Sequence, residues 1–222
     1  MDSLSNIASN YRETTSAYSR AHTSLHPDHL QLLQSSCISP EVSRARGYQT
    51  ITRKSVLKGY GFSIEQCRTP ALLIPVYDGR GRLITYQMRR DEPRIDRHAG
   101  AVEYEVCPGR QSALDVPPPS CASLLADPST PLYITDEVFK ADSAASQGLC
   151  CVDLVGLIPA VNDYDVETRL SPSDWDGIAL EDRLVRFVYD ADSTHRPETR
   201  CAFATLQEFL WSQHARIQRI NL

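Results

Sequence analysis

Three short apolar segments, separated by stretches of helical period, constrain this chain more than any other feature. PLYIT (131–135), CCVDLVGL (150–157) and RLVRFVYD (183–190) read as strands. Between the first two, DEVFKADSAASQG (136–148) reads as a helix ended by Gly148. After the third, PETRCAFATLQEFLWSQHA (197–215) reads as a helix begun at Pro197, with an apolar stripe of Ala202, Leu206, Phe209 and Leu210. RIQRINL (216–222) closes as a strand. The polar excursion NDYDVETRLSPSDWDGIAL holds one helical turn around Trp175. Strands alternating with helices imply a parallel sheet with right-handed crossovers, so the predicted class is α/β, a parallel sheet flanked by helices. No internal repeat is visible.

The preceding half follows another period. Structure is predicted to begin at HPDHLQLLQSSC, where Pro27 suits a first helical turn and Leu30, Leu33 and Gln34 follow at helical spacing. Ser39-Pro40-Glu41 marks a second helix start, Gly47 its stop, and YQTI a short strand behind it. ALLIPVY (71–77), the turn Asp78-Gly79-Arg80-Gly81 and RLITYQMR (82–89) form a hairpin, with a third strand at AVEYEV (101–106). The expected organisation is a flexible N-terminal arm (1–24), a small basic α+β subdomain with short helices and a hairpin (25–107), a connector (108–130), and the α/β domain (131–222). The connector rests on the six prolines of the stretch from Cys107 through Pro131 and on the lack of any strong period there.

Charge divides unevenly along the 222 residues. The formal net charge of −5 argues against a protein that coats nucleic acid through overall charge. Residues 80–98 carry six arginines against three acids, whereas residues 127–192 carry fourteen acids against four bases. A basic hairpin beside an acidic unit suits a polyanion held next to a bound cation; two solvated surfaces of unlike sign explain the counts equally well. No apolar run approaches the roughly 18–20 residues that span a bilayer, and the N-terminus lacks the pattern of a secretory signal. Seven cysteines without a C-x-x-C pair imply reduced thiols and a cytoplasmic, intracellular protein. Cys150 and Cys151 are expected in the core. His26 and His29 lie one helical turn apart with no third ligand nearby, so a capping or surface role is expected of them.

Ligands of an open parallel sheet gather beyond the carboxyl ends of its strands. Two predicted strands end there in acids: PLYIT with Asp136 and Glu137, and RFVY with Asp190 and Asp192. Clustered carboxylates repel one another unless a hard cation such as Mg²⁺ lies between them; the alternative is acids that cap the following helices. Asp190-Ala191-Asp192-Ser193-Thr194 also matches the D-x-D-x-T nucleophile motif of haloacid-dehalogenase-type phosphatases. That fold needs several further strands, and too little chain follows the motif to supply them.

An acid after the first strand and a D-x-D after the third resemble the Toprim pattern of primases and topoisomerases. ISPEVSRARGYQTIT (38–52), ALLIPVYDGRGRLITYQMRRDEPR (71–94) and LYITDEVFKADSAASQGL (132–149) resemble the Toprim-like family at the N-termini of plasmid and phage replication proteins. The similarity covers about residues 25–222. It implies a primase-like protein of a mobile-element, phage or plasmid replication system, with DNA or RNA as partner. Metal-dependent phosphoryl or nucleotidyl transfer would use Asp190, Asp192 and Asp136 as ligands of Mg²⁺ or Mn²⁺. Asp136, Glu137 and Lys140 would form the catalytic group, and Arg80, Arg82, Arg89, Arg90, Arg94 and Arg97 the nucleic-acid face. Two positions depart from the pattern. The family's T-E-G reads Thr135-Asp136-Glu137 here, and a lysine common before Tyr-Glu is replaced by Glu103 in Glu103-Tyr104-Glu105. These departures keep two other expectations open: a catalytically degenerate module that binds nucleic acid or a replication or defence protein, and a purely structural partner subunit.

Overall fold

The computed structural model describes residues 25–96, 100–108, 113–118, 122–156, 170, 172–189 and 197–221. The expected arm (1–24), Arg97, Asp190 and Asp192 lie outside the described residues. The chain opens with two short helices whose ends are written in their caps. His26 caps α1 (Pro27–Ser35), its ring accepting from the backbone N–H of Asp28. Ser39 accepts from the Val42 N–H to start α2 (Pro40–Arg46), and Gly47, at φ 77°, stops it. β1 (Gln49–Ile51) and α3 (Lys54–Gly59) follow. α3 was not foreseen: it is six residues long, no side chain caps it, and only Leu57 on it is buried.

β2 (Ala71–Tyr77), β3 (Leu83–Asp96) and β4 (Gly100–Val106) complete a four-stranded antiparallel sheet in the order β1-β2-β3-β4. The β2–β3 turn forms as its residues dictate. The Asp78 carboxylate accepts from the N–H groups of Arg80 and Arg82, and Gly81 takes φ 73°. β3 runs seven residues beyond the expected strand. Its pairing with β4 jumps from Arg89↔Tyr104 to Arg94↔Val102, so four β3 residues bulge opposite Glu103.

The second sheet has the order β5-β7-β6-β8-β9. β6 (Leu132–Thr135), β7 (Cys150–Val155), β8 (Leu184–Tyr189) and β9 (Arg216–Asn221) are parallel, as the alternation with helices requires. The stretch expected to be a bare connector contributes β5 (Ala113–Asp115), an antiparallel edge strand on β7, and the short helix α4 (Ala122–Ala126). Three residues are too few to show a period, which is why the strand escaped notice. A helical turn (Pro172–Trp175) stands where one was expected.

Helix α5 (Val138–Ser146) covers one face of this sheet and α6 (Pro197–Ser212) the other. Leu132, Ile134, Val152, Val185 and Phe187 pack with Phe203, Leu206 and Leu210 on the α6 side, and Cys150 lies among them. On the α5 side, Leu33, Val42, Leu72 and Ile74 from the N-terminal half pack with Val138, Phe139 and Ala145. The two halves therefore share a core. No helix among the described residues is long and apolar enough to cross a membrane.

Candidate functional site

β6 and β8 are parallel neighbours, with Leu132 beside Val185 and Ile134 beside Phe187. Their carboxyl ends, Thr135 and Tyr189, therefore lie at one edge of the sheet. Asp136 follows β6 directly, and its Oδ1 accepts from Lys140 Nζ at 2.9 Å. Glu137 precedes α5 with extended backbone (φ −148°), which a residue with a Cβ adopts without strain. Lys140 Nζ lies 4.0 Å from Glu137 Oε2, and Tyr104 Oη, reaching over from β4, donates to Glu137 Oε1 at 2.8 Å. Burial, and then the Glu137 carboxylate, push the Tyr104 phenol well above its ordinary range. The structure thus brings together Asp136, Glu137 and Lys140, and adds Tyr104.

Two buried hydroxyls at the same strand ends, Thr135 Oγ1 and Tyr189 Oη, have no hydrogen-bond partner among the described residues. Burial and the nearby Asp136 raise the Tyr189 phenol. Among the described residues no three His, Cys, Asp or Glu side chains group to hold a metal. The donors present at this edge are oxygens, the chemistry that suits Mg²⁺ or Mn²⁺, and the unpartnered Thr135 hydroxyl adds one more.

Behind the strand ends lies a buried ionic cluster that sequence reasoning missed. Arg46, fully buried, donates from Nη1 to Asp115 Oδ1 at 2.7 Å and from Nε to Asp142 Oδ2 at 3.0 Å. Tyr48 Oη donates to the same Asp142 oxygen at 2.6 Å. Burial works against the Arg46 charge, but the two carboxylates overcome it and hold the guanidinium above its ordinary range. Burial raises Asp115 against the pull of Arg46. Asp153 stands beside Asp115 on β5 and Thr135 on β6, and its Oδ1 has no partner among the described residues. Burial, reinforced by the Asp115 charge, pushes it well above the usual carboxylate range. These contacts join positions 69 and 96 apart in the chain, and no local spacing announces them.

The expected nucleic-acid arginines are dispersed, and each described one faces an acid. Arg80 pairs with Asp176 at 2.9 Å and Arg82 with Asp78 at 2.7 Å, all on the surface or near it. Arg89 meets Glu103 at 3.3 Å and lies 6.0 Å from the ring centres of Tyr104 and Phe139. Arg90 is buried and pairs with Glu105 at 2.8 Å; Arg94 reaches the same carboxylate at 3.3 Å. Glu103 is thus the counter-ion of Arg89. His29 serves the fold, its ring joining Thr50 at 2.7 Å and Asp91 at 2.8 Å.

No family profile and no curated protein matches this chain by sequence. Solved structures do match by shape. The Aquifex aeolicus primase (zinc-binding and RNA polymerase domains) is 15% identical with a TM-score of 0.59, covering 94% of this chain and 54% of that one. The DnaG catalytic core is 16% identical with a TM-score of 0.52, covering 88% and 65%. The RNA polymerase domain of Mycobacterium tuberculosis primase DnaG is 16% identical with a TM-score of 0.51, covering 99% and 77%. The chain shares its fold with these primase structures. This chain spans 54% and 65% of the length of the first two of these structures.

Proposed function

We propose that this chain is a nucleic-acid-associated, primase-like protein of a mobile-element, phage or plasmid replication system. Its joined strand ends would hold Mg²⁺ or Mn²⁺ for phosphoryl or nucleotidyl transfer. The observation that carries this reading is the parallel pairing of β6 with β8. It brings to one edge the strand followed by Asp136 and Glu137 and the strand followed in sequence by Asp190 and Asp192. Asp136, Asp190 and Asp192 are the proposed metal ligands, and Glu137 and Lys140 the groups beside them. A divalent ion bound there supplies Lewis-acid stabilisation of phosphate charge. Lys140 holds Asp136 in place and offsets part of the carboxylates' mutual repulsion. Arg80, Arg82, Arg89 and Arg94 keep solvent exposure despite their ion pairs, and contact the phosphate backbone of DNA or RNA. The test is primer synthesis on single-stranded template with nucleotides and Mg²⁺ or Mn²⁺. Product is expected from the wild type and none from Asp190→Ala with Asp192→Ala. A wild type that makes no product refutes the catalytic part.

A second reading has an observation of its own. The described acids at the strand end are already answered within the chain, Asp136 by Lys140 and Glu137 by Tyr104. A site so closed suits a binding module for nucleic acid or for a replication or defence protein, without catalysis. Template binding without synthesis in the same assay supports this version.

A further inference from the structure

β7 is buried along both faces, but β8 is buried along one only. Val185, Phe187 and Tyr189 pack beneath α6, while Leu184, Arg186 and Val188 point to the other face and keep solvent exposure. Parallel sheets are ordinarily covered on both faces, so an open one asks for an occupant. Register carries this face onto both neighbours. Tyr133 of β6, Arg186 of β8 and Gln218 of β9 stand in one row, flanked by the pairs Leu184–Arg216 and Val188–Ile220. Arg216 and Gln218 are exposed, and Tyr133 and Ile220 half-buried. Arg186 donates from Nη1 to Tyr133 Oη at 2.7 Å and from Nε to Gln218 Oε1 at 3.0 Å. Its guanidinium lies 5.5 Å from the centre of the Tyr133 ring. Arg216 donates from Nε to the Asp182 carbonyl at 3.0 Å. All these acceptors are neutral, and neither guanidinium makes an ion pair among the described residues. The nearby acids are otherwise placed. Glu181 and Asp182, on the turn into β8, form no ion pair with either arginine; Asp136 is answered by Lys140; Asp190 and Asp192 follow β8 at its far end.

We infer that this open face of β6, β8 and β9 binds single-stranded nucleic acid, with Arg186 and Arg216 on its phosphates and the Tyr133–Arg186 pair as a platform for a base. Aromatic rings and guanidinium planes are both surfaces on which unpaired bases stack, and a sheet face presents them flat. Charge favours this occupant over a protein one. A helix laid across the face buries both guanidiniums and has to bring a carboxylate for each. A polyanionic strand offers an acceptor at every nucleotide and leaves the arginines hydrated. Leu184, Val188 and Ile220 supply apolar margins beside the row. The inference rests on the nucleic-acid part of the proposed function and adds a surface separate from the basic hairpin. It does not depend on metal at the strand ends, and sequence spacing singled out none of its residues.

The test follows the anisotropy of a labelled oligothymidylate on titration with the full chain at several salt concentrations. Arg216→Gln changes an exposed side chain held by one hydrogen bond, so the fold is kept. Melting temperatures check the folding of Arg186→Gln and Tyr133→Leu. Arg44→Gln, on the exposed side of α2, is the control for lost charge. The wild type and Arg44→Gln are expected to bind alike. Arg186→Gln and Arg216→Gln should each weaken binding and lower the logarithmic salt slope by about 0.7, one phosphate contact. Tyr133→Leu should weaken binding about tenfold and leave the slope unchanged. Wild-type affinity and slope in both arginine variants overturn the inference and leave the hairpin as the nucleic-acid surface. Equal weakening in Arg44→Gln overturns it too, because the loss then reports total charge. A wild type that binds no strand refutes the nucleic-acid reading as a whole, and leaves the open face to a partner protein.

Discussion

Arg46 sits where its charge has most consequence, because two carboxylates from other elements depend on it. Arg46→Met leaves Asp115 and Asp142 buried without a counter-ion, and is expected to cost about 3–5 kcal/mol in urea denaturation. Asp153 makes the opposite prediction. Its folded pKa lies above the unfolded value of about 3.9, so across that window the folded state holds a proton that the unfolded state has released. Stability contributed through Asp153 is therefore intact below the unfolded value and falls as pH rises toward the folded one. Asp153→Asn should gain about 1–3 kcal/mol over the wild type at pH 8 and converge with it near pH 4, by thermal melts across that range. Asp115, raised as well, keeps part of the pH dependence in the variant. The position of Asp136 and Glu137 at the sheet edge was legible because an acid after a buried strand has only that edge to occupy. Arg46, Asp115 and Asp153 were not, because a buried charge is recognised by its partner, and the partners are remote in sequence.

At the scale of elements, β4 decides how the basic hairpin meets the acidic sheet. Glu103 and Tyr104 point to different tasks: the first answers Arg89, the second crosses to Glu137 ahead of α5. Glu103→Gln frees Arg89 while leaving the Tyr104 contact in place. Affinity for single-stranded DNA is expected to rise, and its logarithmic salt dependence to steepen by about 0.7, one more phosphate contact. Fluorescence anisotropy at several salt concentrations measures both; an unchanged slope would mean that Arg89 does not touch the backbone. The hairpin itself was readable from strand alternation and from the Asp78–Gly81 turn. The extension of β3, its bulge, the strand β5 and the helix α3 were not. The first two depend on pairing with β4, and the last two are too short for a period to emerge.

Over the whole molecule, the two sheets are joined by a common apolar core and by the Arg46 cluster, so the N-terminal half braces α5, and with it Asp136, Glu137 and Lys140. The parallel character of β6, β7, β8 and β9 followed from the alternation of strands with helices; their order, β7-β6-β8-β9, did not, and it puts the two strands that lead into acids side by side. In the proposed site these strand ends act together on one divalent ion, and thermal shift of the full chain on titration with Mg²⁺ and Mn²⁺ tests this. A saturable rise in melting temperature is expected for the wild type, abolished in Asp190→Ala with Asp192→Ala and weakened in Asp136→Asn. A melting temperature that no concentration of either ion raises, or one raised equally in all three proteins, would contradict it.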